Sequence, residues 1–170
     1  VSELTAARIE DKDLSADAKE AKKPEPKSPS PRSTVSAVEG RQCARLQIKP
    51  QAGKLAPTAL ERTHVSLTSA EVKLPPGTLV QVSGWVNIPA PITASPDGAM
   101  MFDSAGGEPL AIRWTAPTPW KKYSVFRRVP ASGTLNVTLT MTGVGTVYFD
   151  DVRIEPLVPP NGAPLNSSRP

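Results

Sequence analysis

The residues whose types and spacing could do chemistry gather late in the chain, in Gly145-Thr-Val-Tyr-Phe-Asp-Asp-Val-Arg-Ile-Glu-Pro-Leu157. With the two-residue period of a strand, Tyr148, Asp150, Val152 and Ile154 fall on one face, and Val147, Phe149, Asp151 and Arg153 on the other. Read as core-facing, a carboxylate among Tyr, Val and Ile needs backbone N–H groups, an Arg or a bound cation to satisfy it. A cation here would be a hard ion with oxygen ligands, calcium first. One carboxylate is too few for that, and Glu39, just before Gly40, is the candidate second ligand. The adjacent pair Asp150-Asp151 cannot serve as a glycosidase acid and base. Neighbouring strand residues point to opposite faces, whereas those two groups must face each other across a substrate.

Other catalytic constellations are missing from the sequence. The sole histidine, His64, stands in a strand pattern beside Val65 and reads as structural or exposed. No glycine-rich phosphate loop precedes a helix, and there is no nucleophile elbow and no paired Cys/His spacing for zinc. The chain is therefore not expected to be an enzyme. Binding has better candidates. Trp85 shares a strand face with Gln81, Ser83 and Asn87, so a flat aromatic lies among amide and hydroxyl groups, the mixture that suits a polysaccharide. The opposing reading buries Trp85 in the core or under a loop. Arg113 and Tyr123 fall on polar faces and are candidate ligand contacts. Trp114 aligns with Leu110 and Ile112 as a core residue, and Trp120, after Pro119, is expected to plug one end of the fold.

These residues need strands to position them, and the chain supplies a succession of them. Leu46 and Ile48 mark one, Val65 and Leu67 the next, and Pro75-Pro-Gly77 launches the longest, Leu79 to Ile88. There Val80, Val82, Gly84, Val86 and Ile88 share the face opposite Trp85. Asp97-Gly98 and Asp103–Gly107 bracket a short strand over Ala99–Phe102. Strands over 110–115, 121–129 and 134–141 follow, the last with Leu135, Val137, Leu139 and Met141 inward. Lys121, Lys122, Arg127 and Arg128 split across both faces of theirs, so half of them must snorkel, lie at an edge or pair with acids such as Asp151 or Glu155. Seven to nine short strands without intervening helices imply an all-β antiparallel sandwich or barrel over residues 35–157. Residues 1–20 carry a weak helical pattern. Lys22–Arg32, with alternating proline, is a semi-rigid linker closing the segment 1–34. Residues 158–170 are expected to be a disordered tail.

Composition agrees. The chain has 170 residues with 20 prolines, 11 glycines and 5% aromatics, which favours turns and short strands over helical packing. A formal net charge of +4, with its charges interspersed, is not the clustered basic face of a nucleic-acid binder. Cys43 is the only cysteine, so no intrachain disulfide can form. No apolar run approaches the length of a membrane span. The absence of a signal segment or initiating Met makes the chain read as a portion of something longer.

Four stretches resemble carbohydrate-binding modules attached to bacterial glycoside hydrolases. Glu39–Ile48 is similar to their glycine-then-strand opening, and Leu79–Val86 to their long sugar-face strand. Trp120–Phe126 looks like their tryptophan-led middle strand, and Val147–Ile154 like their closing strand. The resemblance implies a jelly-roll β-sandwich of about eight or nine strands, with a structural calcium on an aspartate of the closing strand, matched here by Asp150. It further implies a non-catalytic module of a larger multidomain protein, extracellular or in the cell envelope, that binds β-glucans or xylans. One departure stands out: the usual opening strand is not visible upstream of Glu39, where the linker stands. The expected ligand set is Trp85, Gln81, Asn87, Arg113 and Tyr123, and the partners are a polysaccharide and the adjacent domains of the same polypeptide. The alternative is a structural or adhesive sandwich that spaces or docks neighbouring domains and binds no glycan.

Overall fold

The computed structural model describes residues 3–8, 36–40, 42–60 and 63–157, the first of these by its backbone pairing. Eleven strands follow in order: β1 (Glu3–Arg8), β2 (Ala44–Lys49), β3 (Val65–Thr68), β4 (Val72–Lys73), β5 (Leu79–Ile88), β6 (Ala99–Asp103), β7 (Ile112–Trp114), β8 (Thr118–Arg128), β9 (Thr134–Leu135), β10 (Val137–Met141) and β11 (Gly145–Pro156). They form a five-stranded sheet ordered β1-β2-β11-β5-β8 and a four-stranded sheet ordered β3-β10-β6-β7, with β4 and β9 paired apart. Every ladder between these strands is antiparallel. The expected antiparallel β-sandwich is therefore the fold, and the one helical element among the described residues is a 3-10 turn at Glu108–Leu110. The expected linker over 22–32 and the tail over 158–170 lie outside the described residues.

The weak helical pattern of residues 1–20 gives way at Glu3–Arg8 to a strand. It pairs with β2 from Glu3 opposite Lys49 to Arg8 opposite Ala44 and occupies the sheet edge. A strand therefore does stand upstream of Glu39, where the resemblance found none. Six residues are too few to be told from a helical turn by periodicity, and the pairing that decides the matter is 36 to 46 residues away in sequence, from Arg8 opposite Ala44 to Glu3 opposite Lys49.

Between the sheets lies one apolar layer. Leu46 and Ile48 of β2, Val80, Val82, Val86 and Ile88 of β5, Val137, Leu139 and Met141 of β10, and Val147 and Phe149 of β11 are all buried in it. The alternation read along β5 and β10 thus matches the core. Trp114 of β7, buried as expected, bridges the sheets through edge-on contacts to Tyr123 (5.0 Å between ring centroids) and Phe149 (6.2 Å). Tyr123 therefore points into the sandwich and packs against the core rather than lying on a ligand face.

Arg127 also points inward from β8, after Tyr123 and Val125. Its Nε donates to Asp103 Oδ2 at 2.7 Å, and Asp103 is wholly shielded from solvent. The other carboxylate oxygen accepts the backbone N–H groups of Ala105 and Gly106 at 3.0 and 2.9 Å. Gly106 admits the guanidinium because a Cβ there would come within 3.0 Å of it. The acid is thus the last residue of β6, not Asp151 or Glu155. Removing one member of a buried pair strands the other in low dielectric, so Asp103→Ala should lower unfolding free energy by about 3–5 kcal/mol. Urea denaturation checks this against Asp97→Ala, whose exposed pair with Arg113 should contribute no more than about 1 kcal/mol.

Candidate functional site

The outward face of the five-stranded sheet carries the polar residues of β5. Cross-strand register arranges them in rows. Arg45, Tyr148 and Asn87 stand abreast on β2, β11 and β5. The next row holds Asp150, Trp85 and Lys122, followed by Arg153, Ser83 and Ser124, then Glu155, Gln81 and Phe126. Rows are about 7 Å apart and strands about 5 Å. Trp85, Gln81 and Asn87 are therefore brought together, half-buried, on one face. Phe126 is 58% exposed at its far end.

A β-bulge shapes this face. Asp150 pairs with Trp85 and Arg153 with Ser83, so Asp151 and Val152 together stand opposite Gly84. Asp151 adopts φ 47°, a left-handed conformation that aspartate tolerates better than most residues. Gly84 leaves room for the extra residue, since a Cβ there would sit 3.2 Å from Val152 Cγ2. The bulge moves the inward set from Val147 and Phe149 to Val152 and Ile154. The single face of Tyr148, Asp150, Val152 and Ile154 expected from a strict two-residue period is therefore broken at Asp151, and Asp150 lies on the outer side.

There Asp150 is buried under the segment 36–40. Its Oδ2 accepts the backbone N–H groups of Val38 at 2.5 Å and Glu39 at 3.0 Å, and its Oδ1 accepts that of Asp151 at 2.8 Å. The Glu39 carboxylate meets Arg153 instead, and Arg153 also bonds Asp151. Those hydrogen bonds, first from Asp151 and then from Glu39, push the guanidinium pKa above its ordinary value. Asp150 and Glu39 are thus neighbours, but through N–H groups and a guanidinium, donors that calcium cannot use. Among the described residues no group of three or more His, Cys, Asp or Glu side chains is placed to hold a metal ion. Beside them Cys43 is buried, and its thiol pKa is raised, by burial first and by the Asp150 charge second. The same segment receives Trp120, whose Nε1 donates to the Ser36 carbonyl at 3.0 Å. Trp120 therefore pins the segment 36–40 rather than plugging an end of the sandwich.

Among the described residues, three side-chain atoms are buried with no hydrogen-bond partner: Ser83 Oγ, Asn87 Oδ1 and Arg45 Nε. All three belong to outward residues of this sheet. Sequence reading singled out the strand of two of them, but β2 gave no signal for Arg45, whose place depends on pairing with β11.

The four-stranded sheet has a groove of about 450 Å³, lined in part by His64, Ser66, Met100, Phe102, Glu108 and Thr140. Its hydroxyls are matched within the protein: Ser66 bonds Thr140 at 2.7 Å and Ser95 bonds Thr142 at 2.8 Å. Arg113 stands on that sheet, where its Nε pairs with Asp97 at 3.0 Å. It is thus on the opposite side of the molecule from Trp85.

No protein-family model matches the chain, and no curated protein matches it. Solved structures do. A CBM4 carbohydrate-binding module aligns with 68% of this chain and 71% of its own at 16% identity and TM-score 0.48. The TmCBM61 module, solved with β-1,4-galactotriose, aligns with 72% of this chain and 75% of its own at 16% identity and TM-score 0.47. The enzymatically active domain of bacteriophage CBA120 tailspike protein 4 aligns with 91% of this chain but 18% of its own, at 10% identity and TM-score 0.53. At such identities any likeness is one of fold alone, and the β-sandwich itself is established by the strand ladders. What each neighbour binds or cleaves belongs to that protein.

The Asp150 arrangement predicts an asymmetry between neighbouring charges. Asp150→Asn weakens charge-assisted bonds to backbone N–H groups and should cost about 1.5–3 kcal/mol. Arg153→Ala, removing exposed ion pairs, should cost less, and less still in high salt. Thermal or urea denaturation of both variants measures the difference.

Proposed function

We propose that this chain is a non-catalytic polysaccharide-binding module of a larger exported protein, and that the outer face of the five-stranded sheet is its binding surface. The observation that carries the proposal is the half-buried indole of Trp85 standing on one strand face with the amide side chains of Gln81 and Asn87. Trp85 would cover the apolar C–H side of a sugar ring, and Gln81 would add an amide. The motifs shared with carbohydrate-binding modules support the reading, as does the extracellular or cell-envelope setting they imply. Among the described residues no helix is long and apolar enough to cross a membrane.

Affinity electrophoresis against a panel of glucans, xylans and galactans tests this. Retardation by at least one polymer is expected, and Trp85→Ala should weaken it about tenfold or more. No retardation by any polymer, or retardation unchanged in Trp85→Ala, would favour the structural or adhesive sandwich, which docks neighbouring domains and needs no glycan. A calcium ion at Asp150, the other part of the reading implied by resemblance, would have to displace the Val38 and Glu39 N–H groups. With those groups in place a chelator is expected to leave the melting temperature unchanged. A melting temperature lowered by chelator, restored by calcium and insensitive in Asp150→Asn would establish the ion.

A further inference from the structure

Strand β8 ends the five-stranded sheet, and no described strand pairs with its far side. At 11 residues it is much longer than the other edge strands, β1, β3 and β7, which have six, four and three. Its backbone phase is fixed from two sides. The Leu79 carbonyl accepts the Leu157 N–H, so Leu79 turns its groups toward β11, and the Val129 N–H reaches the Thr78 carbonyl. Leu79 stands opposite Arg128. Alternation therefore aims the N–H and C=O of Lys122, Ser124, Phe126 and Arg128 at the free side. These four residues are exposed, and their side chains lie on the outer side of the sheet, Lys122 opposite Trp85 and Phe126 opposite Gln81.

Charge ordinarily guards such an edge, and Lys121, Lys122 and Arg128 do so here. Two copies of β8 paired antiparallel about Val125 would set Lys122 against Arg128. The guard is selective, however. Phe126 is 58% exposed and Leu110 59%. Arg127 ties them together, donating from Nη1 to the Phe126 carbonyl at 3.1 Å and from Nη2 to the Leu110 carbonyl at 3.3 Å. Two exposed apolar side chains beside free main-chain groups invite a strand rather than repel one. No carboxylate of the described residues pairs with Lys121, Lys122 or Arg128, and Arg128 gives one N–H to the Gly77 carbonyl. Glu155, in the row of Phe126, stands two strands in, on β11. From this combination we infer that the free edge of β8 receives an extended acidic strand of a partner protein. Main-chain bonds at Lys122, Ser124, Phe126 and Arg128 supply the affinity, and alternate side chains supply the choice. Cross-strand pairing sets the pattern: an acid opposite Arg128, an apolar residue opposite Phe126, a small polar one opposite Ser124 and an acid opposite Lys122. The inference goes beyond the polysaccharide-binding reading and does not rest on it, because Trp85 takes no part.

The test measures fluorescence anisotropy of a labelled peptide, Glu-Val-Leu-Thr-Ser-Thr-Glu, titrated with the full chain. It should bind about tenfold or more tightly than the same peptide with lysine in place of both glutamates. N-methylation at its third and fifth residues, whose N–H groups would face β8, should abolish binding, whereas methylation at its second and fourth should not. Ser124→Pro removes a main-chain donor on the free side only and should abolish binding with the fold retained. Lys122→Glu, at an exposed position, should reverse the preference toward the lysine peptide, which keeps the test decisive if Ser124→Pro does not fold. No binding of the glutamate peptide, equal binding of both peptides, or indifference to methylation overturns the inference. Sedimentation showing a dimer that Ser124→Pro dissolves would assign the edge to a second copy and overturn it too. Slow amide exchange at Lys122, Ser124 and Phe126 in the peptide-free monomer would do the same, since the chain would then cover its own edge.

Discussion

A carboxylate on the outer side of a central strand, closed off by backbone N–H groups, is the constraint on which this face of the molecule depends. Asp150 is buried, yet it lies outside the apolar layer, and its two oxygens hold Val38, Glu39 and the bulge residue Asp151. Those bonds fix the segment 36–40 across the sheet. The same segment takes the indole N–H of Trp120 on β8, so it crosses the outer side of the sheet from β8 to Asp150 on β11. The bulge is the second half of this arrangement. Without the extra residue opposite Gly84, Val152 and Ile154 would turn outward and Arg153 inward.

The remaining stability is conventional for a sandwich, with one polar exception. Aliphatic side chains from both sheets form the core, and Trp114 joins them by ring contacts to Tyr123 and Phe149. The exception is Asp103 with Arg127, a buried pair whose lone pairs and N–H groups are matched by the turn after β6 and by the Leu110 and Phe126 carbonyls. That completeness separates it from Arg45, Ser83 and Asn87. Among the described residues the three unmatched buried atoms all lie on the outer side of the five-stranded sheet.

Much of this was legible in the residues, and the failures have identifiable causes. The faces of β5 followed from simple alternation, because a ten-residue strand carries enough repeats to fix its phase. The closing strand was legible as a strand, but the bulge inside it exchanged faces midway, and only the adjacent acids Asp150-Asp151 hinted at irregularity. Tyr123 was misplaced because Lys121, Lys122 and Arg127 obscure the inward phase of β8. In the fold, Lys121 remains exposed with its ammonium over the Tyr123 ring, while Arg127 reaches a buried acid. Arg113 was grouped with Trp85, yet it belongs to the other sheet, a matter of strand order that periodicity does not encode. The strand Glu3–Arg8 and the N–H groups of Val38 and Glu39 depend on partners far along the chain, which is where local reading stops.

The central claim is that the open face beside Trp85, not the groove of the other sheet, meets the ligand. Amide-resolved NMR titration with an oligosaccharide cut from whichever polymer the chain retains tests this directly. The account predicts shifts centred on the Trp85 indole N–H, the Asn87 side-chain amide and the backbone of Ser83. Shifts centred instead on Met100, Phe102 and Thr140 would contradict it.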